Sequence, residues 1–235
     1  LKERLYIHMK ILRLPLRVVI GLMMVIQFGL TNAQDIHFTL HQMTPLAFNP
    51  ANTGGFYGSY RISGLYRDQY RSVLGNAAYT TPTFSVDVPV IRGFKETDWV
   101  GVGMFFYSDK SGSGGLTQSS FKISAAYHWA MNKKGNNILS IAYQTGAIQH
   151  EIKDPSKLKF EDQLVGNLNE SVDLANIDKM KKGFLDHVGG LKFTSKLNKT
   201  DEFTIGVAAG KFGQPNWSFL TMGGNYRVDP RVHAQ

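Results

Sequence analysis

Gly58 to Arg71 reads GSYRISGLYRDQYR, and its alternation sets the fold class. Tyr60, Ile62, Tyr66 and Tyr70 fall on one face of an extended chain, and Arg61, Ser63, Arg67, Gln69 and Arg71 fall on the other. Side chains of a strand point alternately to its two faces, so this pattern predicts a strand with one apolar and one wet side. The pattern recurs downstream. About Thr80 to Val90 sets Phe84, Val86 and Val88 against Thr83, Ser85 and Asp87. Thr117 to Ala130 sets Phe121, Ile123, Ala125, Tyr127 and Trp129 against Lys122, Ser124, Ala126 and His128. Asn137 to His150 sets Leu139, Ile141, Tyr143 and Ala147 against Ser140, Ala142, Gln144 and Gly146. About His187 to Leu197 and Glu202 to Gly210 repeat it, with Leu191, Phe193, Phe203, Ile205 and Val207 opposite Lys192, Thr194, Thr204 and Gly206. Trp99 to Ser108 is apolar on both faces, and about Ser218 to Val228 is an eighth, weaker segment.

Upstream lies a different signal. Leu1 to His8 reads as sequence ahead of a start at Met9, followed by Lys10, Arg13 and Arg17, the apolar run Val18 to Leu30, and Thr31-Asn32-Ala33 before Gln34. A basic n-region, an h-region and a small-residue cleavage site make residues 1–33 a secretory leader cut between Ala33 and Gln34. The run falls short of the roughly 20 residues a membrane helix needs. A chain that leaves the cytoplasm and then alternates becomes either a secreted two-sheet sandwich or an outer-membrane barrel. Tyr, Phe and Trp gather near segment ends on the apolar face, which suits a bilayer interface. The links Ile91 to Asp98, Met131 to Asn136 and Asn198 to Asp201 are short, whereas the alternate set includes the long Ile152 to Asp186. Short periplasmic turns and longer outer loops are the barrel asymmetry. The expected fold is therefore all-β: one antiparallel outer-membrane β-barrel over 34–235.

Composition narrows the partners. With no cysteine, the chain has no disulfide framework, thiolate metal site or lipidated N-terminal Cys. The leader's five basic residues and one acidic residue hold half of the net charge of +8. What remains is scattered, with no basic stripe of the kind nucleic acid requires. The 15 Phe, 10 Tyr and 24 Gly suit a barrel.

Gln34 to Pro89 carries a family resemblance. Gln34-Asp35, Phe38 to Gln42, and Asn49-Pro50-Ala51 with Gly54 resemble the mature start of the PorP/SprF family of type IX secretion proteins. Tyr66-Arg67-Asp68-Gln69-Tyr70 is similar to that family's Tyr-Arg-Asn-Gln-Trp element, with Asp68 and Tyr70 as departures; Ser85, Asp87 and Pro89 match its Ser-x-Asp-x-Pro. Gly101-Val102-Gly103, Ser108-Asp109-Lys110, Ala126-Tyr127-His128 and Gln214-Pro215-Asn216 extend the likeness over nearly all of 34–235. The resemblance implies an outer-membrane barrel of the type IX secretion system. It would be surrounded by outer-membrane lipid and partnered by secretion components and a large secreted adhesin of the gliding-motility type. Members usually run past the Gln-Pro-Asn element, so this chain reads as the N-terminal portion of a larger barrel. A porin-like channel for small solutes is the alternative, and a rim-active hydrolase a third reading. No catalytic, cofactor-binding or metal residue follows from the resemblance.

Four local features have competing explanations. His37 and His41 share the spacing of helical metal ligands, but in an extended chain they lie about 13 Å apart, as polar residues of a lead-in. Ser111-Gly112-Ser113-Gly114-Gly115 is glycine-rich, yet a strand follows it rather than the helix N-terminus a phosphate cradle uses, which makes it a hairpin loop. Arg67 and Asp87 fall on the wet faces of the first two strands and are expected to pair inside the lumen. The charged insertion Ile152 to Asp186, with Leu164, Leu168, Val172 and Leu174-Ala175 hinting at a short amphipathic helix, reads either as an outer lid that contacts a partner or as a solvated loop.

Overall fold

The computed structural model describes residues 41–92, 97–132, 135–159, 161–165, 171, 181–198, 201–212, 227 and 230–235. The leader, His37 and most of the expected eighth strand, Ser218 to Val228, lie outside them. Eight strands form one antiparallel sheet in chain order: β1 Arg61–Gln69, β2 Tyr79–Arg92, β3 Trp99–Ser111, β4 Leu116–Ala130, β5 Asn137–Ile152, β6 Lys181–Lys196, β7 Glu202–Gly210 and β8 Arg231–Ala234. The sheet curls into an open half-barrel, with β1 and β8 as its two edges. Among the described residues no helix is long and apolar enough to cross a membrane.

Burial runs opposite to that of a water-soluble protein. The outward faces carry Ile62, Phe84, Phe121, Ile123, Ile141, Leu191, Phe203 and Ile205, all exposed. Inward, Asp87, Lys122, Ser124, His128, Ser140, Gln144, Asp186 and Lys192 are buried. Leaving a large apolar side chain in water forgoes about 1.5–3 kcal/mol. A sandwich would bury that face under a second sheet, but the strands form a single sheet and leave it bare. A lipid surround removes the penalty, because hydrocarbon solvates Ile and Phe as well as a core does.

Register organises this wall into rows. Phe84, Phe106, Phe121, Ala147 and Leu185 line up across β2 to β6 on the outer face. One row towards the long-link end, Ser108, Ser119 and Gln149 are polar; the row beyond holds Lys110, Thr117, Glu151 and Lys181. Aromatic residues next to polar rows are the arrangement that barrels show where hydrocarbon gives way to polar surroundings. A tilted strand crosses a bilayer in about 9–11 residues, so β5 and β6, at 16 residues each, extend past it.

The face assignments for β1, β2 and β4 to β7 agree with the alternation in the sequence. β3, ambiguous by pattern, turns Phe105 and Tyr107 inward and Val102, Met104 and Phe106 outward. β6 begins at Lys181, six residues before the expected His187, because it stays paired with β5 up to Glu151. Within the insertion, the described residues form a 3-10 turn at Pro155–Lys157 and one α-helical turn at Glu161–Val165; Leu168, Val172 and Leu174-Ala175 fall outside them.

Candidate functional site

The segment Thr44 to Gly55, the C-terminal part of a Gln34 to Gly55 stretch whose sequence reads as an irregular lead-in, packs on the concave polar wall. Two Pro-initiated turns shape it, the helical turn Pro45–Phe48 and the 3-10 turn Pro50–Asn52. Pro suits a first helical position because its fixed φ fits and its missing N–H would have no partner there anyway. Asn49 caps the second turn by accepting from the Ala51 N–H at 2.9 Å, the usual service of an Asn N-cap. Its amide also donates to the carbonyls of Leu191 at 3.1 Å and Val207 at 3.4 Å. Leu46, Ala51 and Thr53 have no exposed surface.

Each following residue is held by a different strand. Asn52 accepts from Lys192 Nζ at 3.0 Å through its side chain and from Arg61 Nη2 at 3.0 Å through its carbonyl. Thr53 donates its hydroxyl to Ser124 at 2.8 Å. The Thr53 carbonyl lies 2.8 Å from Nε2 of His128. A carbonyl only accepts, so Nε2 carries the ring proton, and Nδ1 faces the Ser140 hydroxyl at 2.7 Å. The Gly54 N–H donates to Asp87 at 2.7 Å, and the Gly54 carbonyl accepts from the Trp99 indole at 2.9 Å. Trp99 also stacks on His128 with ring centroids 4.6 Å apart.

Small residues of the wall make room for this plug. A Cβ on Gly101 would sit 2.3 Å from the Thr53 carbonyl, and one on Gly190 would sit 2.3 Å from Asn49 Oδ1. Ala51 meets Ala126 and Ala142 in one small apolar cluster. Gly54 has φ +67, a left-handed conformation open to glycine at little cost, and a Cβ there would strike Gly101.

Asp87 anchors the arrangement. It is 1% exposed and receives both Arg61 Nε, at 2.9 Å, and Arg61 Nη2, at 2.7 Å. Two parallel charge-assisted bonds of this kind fix orientation as well as charge. This corrects the expected Arg67–Asp87 pair: the hairpin places Arg61 opposite Asp87 and Arg67 opposite Thr81. Arg67 reaches its strand neighbour Gln69 at 2.7 Å instead. The chain leaves β1 at Tyr70, which adopts φ +60, and runs through the helical turn Arg71–Leu74 before β2.

A second polar cluster lies on the wall towards the long-link end. Lys122 pairs with Asp186, and the other oxygen of Asp186 accepts from the Lys211 N–H at 3.1 Å. Lys211 follows β7, and burial pushes its ammonium down from the usual lysine range against the pull of Asp186. Ser111 to Gly115 is a hairpin tip, with Gly112 and Gly115 at positive φ. The chain after β5 covers it: Asp154 N–H donates to the Gly114 carbonyl at 3.0 Å, and Ser113 donates to the Lys157 carbonyl at 3.2 Å. Lys157 and Ser156 hold the exposed Asp154 carboxyl below the usual carboxylate range.

No three His, Asp or Glu residues come together to hold a metal ion among the described residues. Ser140 and His128 form a hydroxyl–imidazole pair, but it lies beneath the plug and its outer nitrogen is spent on Thr53. The arrangement docks a segment. Sequence pattern missed this site because the Asn49 partners lie 142 and 158 residues away. The available signal was the Asn-Pro-Ala-Asn run, two capping residues around a Pro, in a stretch otherwise read as irregular.

A family model described as type IX secretion system membrane protein PorP/SprF matches residues 30–229. No curated protein and no solved structure matches the chain.

Proposed function

The chain belongs to the PorP/SprF family of type IX secretion system membrane proteins, and from that premise we propose that it is a non-enzymatic barrel of the outer membrane that supports secretion or surface anchoring of a large adhesin-type protein. In this proposal residues 34–235 form the barrel domain, exported by a leader cleaved between Ala33 and Gln34. Its partners are outer-membrane lipid, other type IX components and the exported surface protein. The inverted burial of the wall supports a lipid surround. The family is not a known enzyme family.

The observation that carries scaffold over porin is the docked plug. An open solute channel needs a water-filled lumen lined by free polar groups, whereas here Lys192, Asp87, His128 and Ser124 all bond the Thr44 to Gly55 segment. Deleting the gene is expected to remove one large protein from the cell surface while leaving small-solute uptake unchanged. The purified protein should be silent in planar bilayers. Step conductances together with an intact surface profile would reverse the choice. Removing the Lys157 to Lys181 stretch tests the lid: display of the surface protein should fall, and unaltered display would dismiss that contact.

A further inference from the structure

The outward face of the sheet carries a polar trio on β5 and β6. Val86, Met104, Ile123, Thr145 and His187 form the outer row next to the aromatic row, away from the charged end. Tyr143 lies in the row after it. His187 Nδ1 lies 2.7 Å from the Tyr143 hydroxyl and 3.0 Å from the Thr145 hydroxyl. The Tyr143 and His187 rings stack at 6.0 Å. In the tautomer whose Nδ1 lone pair accepts from one of these hydroxyls, the ring proton sits on Nε2, a donor in a row shared with Val86, Met104 and Ile123. A polar group facing hydrocarbon is costly unless something there accepts its hydrogen bond.

Beside the trio lies a groove of about 560 Å³ whose outward lining includes Val86, Val102, Met104, Ile123, Ala125 and Thr145. Ala125 has the shortest of these outward side chains. Gly189, across from Tyr143, leaves open space where a side chain would project. An apolar slot of small-ligand size with hydrogen-bonding groups at one end has the polarity of an acyl chain capped by a carbonyl.

We propose that this outer wall holds one acyl chain of a membrane glycerophospholipid in the Ala125 groove, with its ester carbonyl accepting a hydrogen bond from His187. The proposal rests on the membrane reading of the fold and adds to it a specific lipid position on β3 to β6. Tyr143 and Thr145 act as positioning residues that orient the imidazole.

The test reconstitutes the full chain in phosphatidylethanolamine vesicles carrying a trace of the same lipid with a diazirine on its acyl chain. Adducts are mapped by peptide mass spectrometry. They are expected to concentrate at Met104, Ile123 and Ala125 above other belt positions. His187→Leu should lower them roughly three- to tenfold, as loss of one net hydrogen bond would, and Ala125→Trp, which fills the slot, should lower them further. Ile141→Leu, elsewhere on the belt, should leave them unchanged. Heat-modifiable gel mobility checks that each variant is folded; if His187→Leu is not, Ala125→Trp decides. Even labelling over the belt overturns the site, as does labelling that survives the slot-filling variant. So does a protein adduct that displaces the lipid label in native outer membranes. Refolding of the chain without detergent would instead overturn the membrane reading itself, so the two failures are distinguishable.

Discussion

Asp87→Asn is the sharpest probe of the docked plug. The carboxylate accepts three bonds, two from Arg61 and one from the Gly54 N–H, and the carboxamide replaces one acceptor oxygen by a donor. Breaking a buried charge pair by removing one partner costs about 3–5 kcal/mol. Arg61 keeps about a quarter of its side-chain surface and its bond to the Asn52 carbonyl, so the lower end of that range, about 3 kcal/mol, applies. Both members of that pair sit on the sheet, so this cost weakens the β1–β2 pairing with the plug docked or released. What the docked state alone loses is the Gly54 N–H bond to a charged acceptor, about 1.5–3 kcal/mol, which shifts the docked-to-released equilibrium roughly ten- to a hundredfold. Trp99 reports docking directly, because its indole bonds the Gly54 carbonyl and stacks on His128. With Trp129 and Trp217 changed to Phe, its emission in detergent micelles should show plug release at lower denaturant than sheet unfolding, which gel mobility follows. Asp87→Asn should move both transitions, the first through the Gly54 bond and the second through the lost Arg61 pair. Arg61→Ala with Asp87→Ala should recover part of the loss, since no charge is then left unpaired. A Trp99 transition unmoved by Asp87→Asn would refute the clamp.

Three further outcomes follow from the same geometry. Gly101→Val should release the plug, because its first added carbon lies 2.3 Å from the Thr53 carbonyl; Trp99 emission should already be that of the undocked state in buffer while the sheet stays heat-modifiable. Ile123→Arg on the outer face should cost about 2–4 kcal/mol of refolding free energy in lipid, measured by urea titration in vesicles; a polar exchange at inward Gln144 should lack that lipid-dependent penalty. Lys157→Ala should raise the titration midpoint of Asp154, followed by carboxyl NMR shifts, because it removes the largest cause of the depressed value. A depressed carboxylate contributes to folding above its unfolded pKa and loses that contribution as pH falls through the folded one. The tie between the β3–β4 tip and the chain after β5 should therefore loosen on acidification, and loosen at higher pH in the variant.

Period two was enough to sort side chains onto two faces, and six of the strands kept the faces their residues indicate. Register was not legible. Arg61 and Arg67 sit on the same wet face, and nothing in their spacing says which meets Asp87. The left-handed turn at Tyr70 and the helical turn Arg71–Leu74 decide it. The plug was illegible for a different reason. Asn49, Thr53 and Gly54 find partners on β2, β3, β4, β6 and β7, contacts made only after the sheet has curled. The glycines that receive them, Gly101, Gly190 and Gly206, are clear in the sequence only as interruptions.

A deeper ambiguity lies in the direction of burial. Alternation gives two faces without saying which one is covered, and the rule for soluble proteins would put Lys122, Lys192, Asp87 and His128 in water. Here they rank among the more buried residues, because the wet face has been turned onto a polar plug and onto ion pairs. That inversion requires every buried charge to have a partner, since an unpaired ion in a low-dielectric wall is far costlier than an exposed Ile in lipid. Asp87 with Arg61, Lys122 with Asp186, and Lys192 with Asn52 meet the requirement. One of the three partnerships, Lys192 with Asn52, closes only when the Thr44 to Gly55 segment is in place, and the segment also adds the Asn52 carbonyl to Arg61 and the Gly54 N–H to Asp87. The plug is therefore part of what makes the wall's polar face tolerable, and a chain lacking residues 44–55 should keep its lipid face yet lose the order of β1 and β6 on the inside.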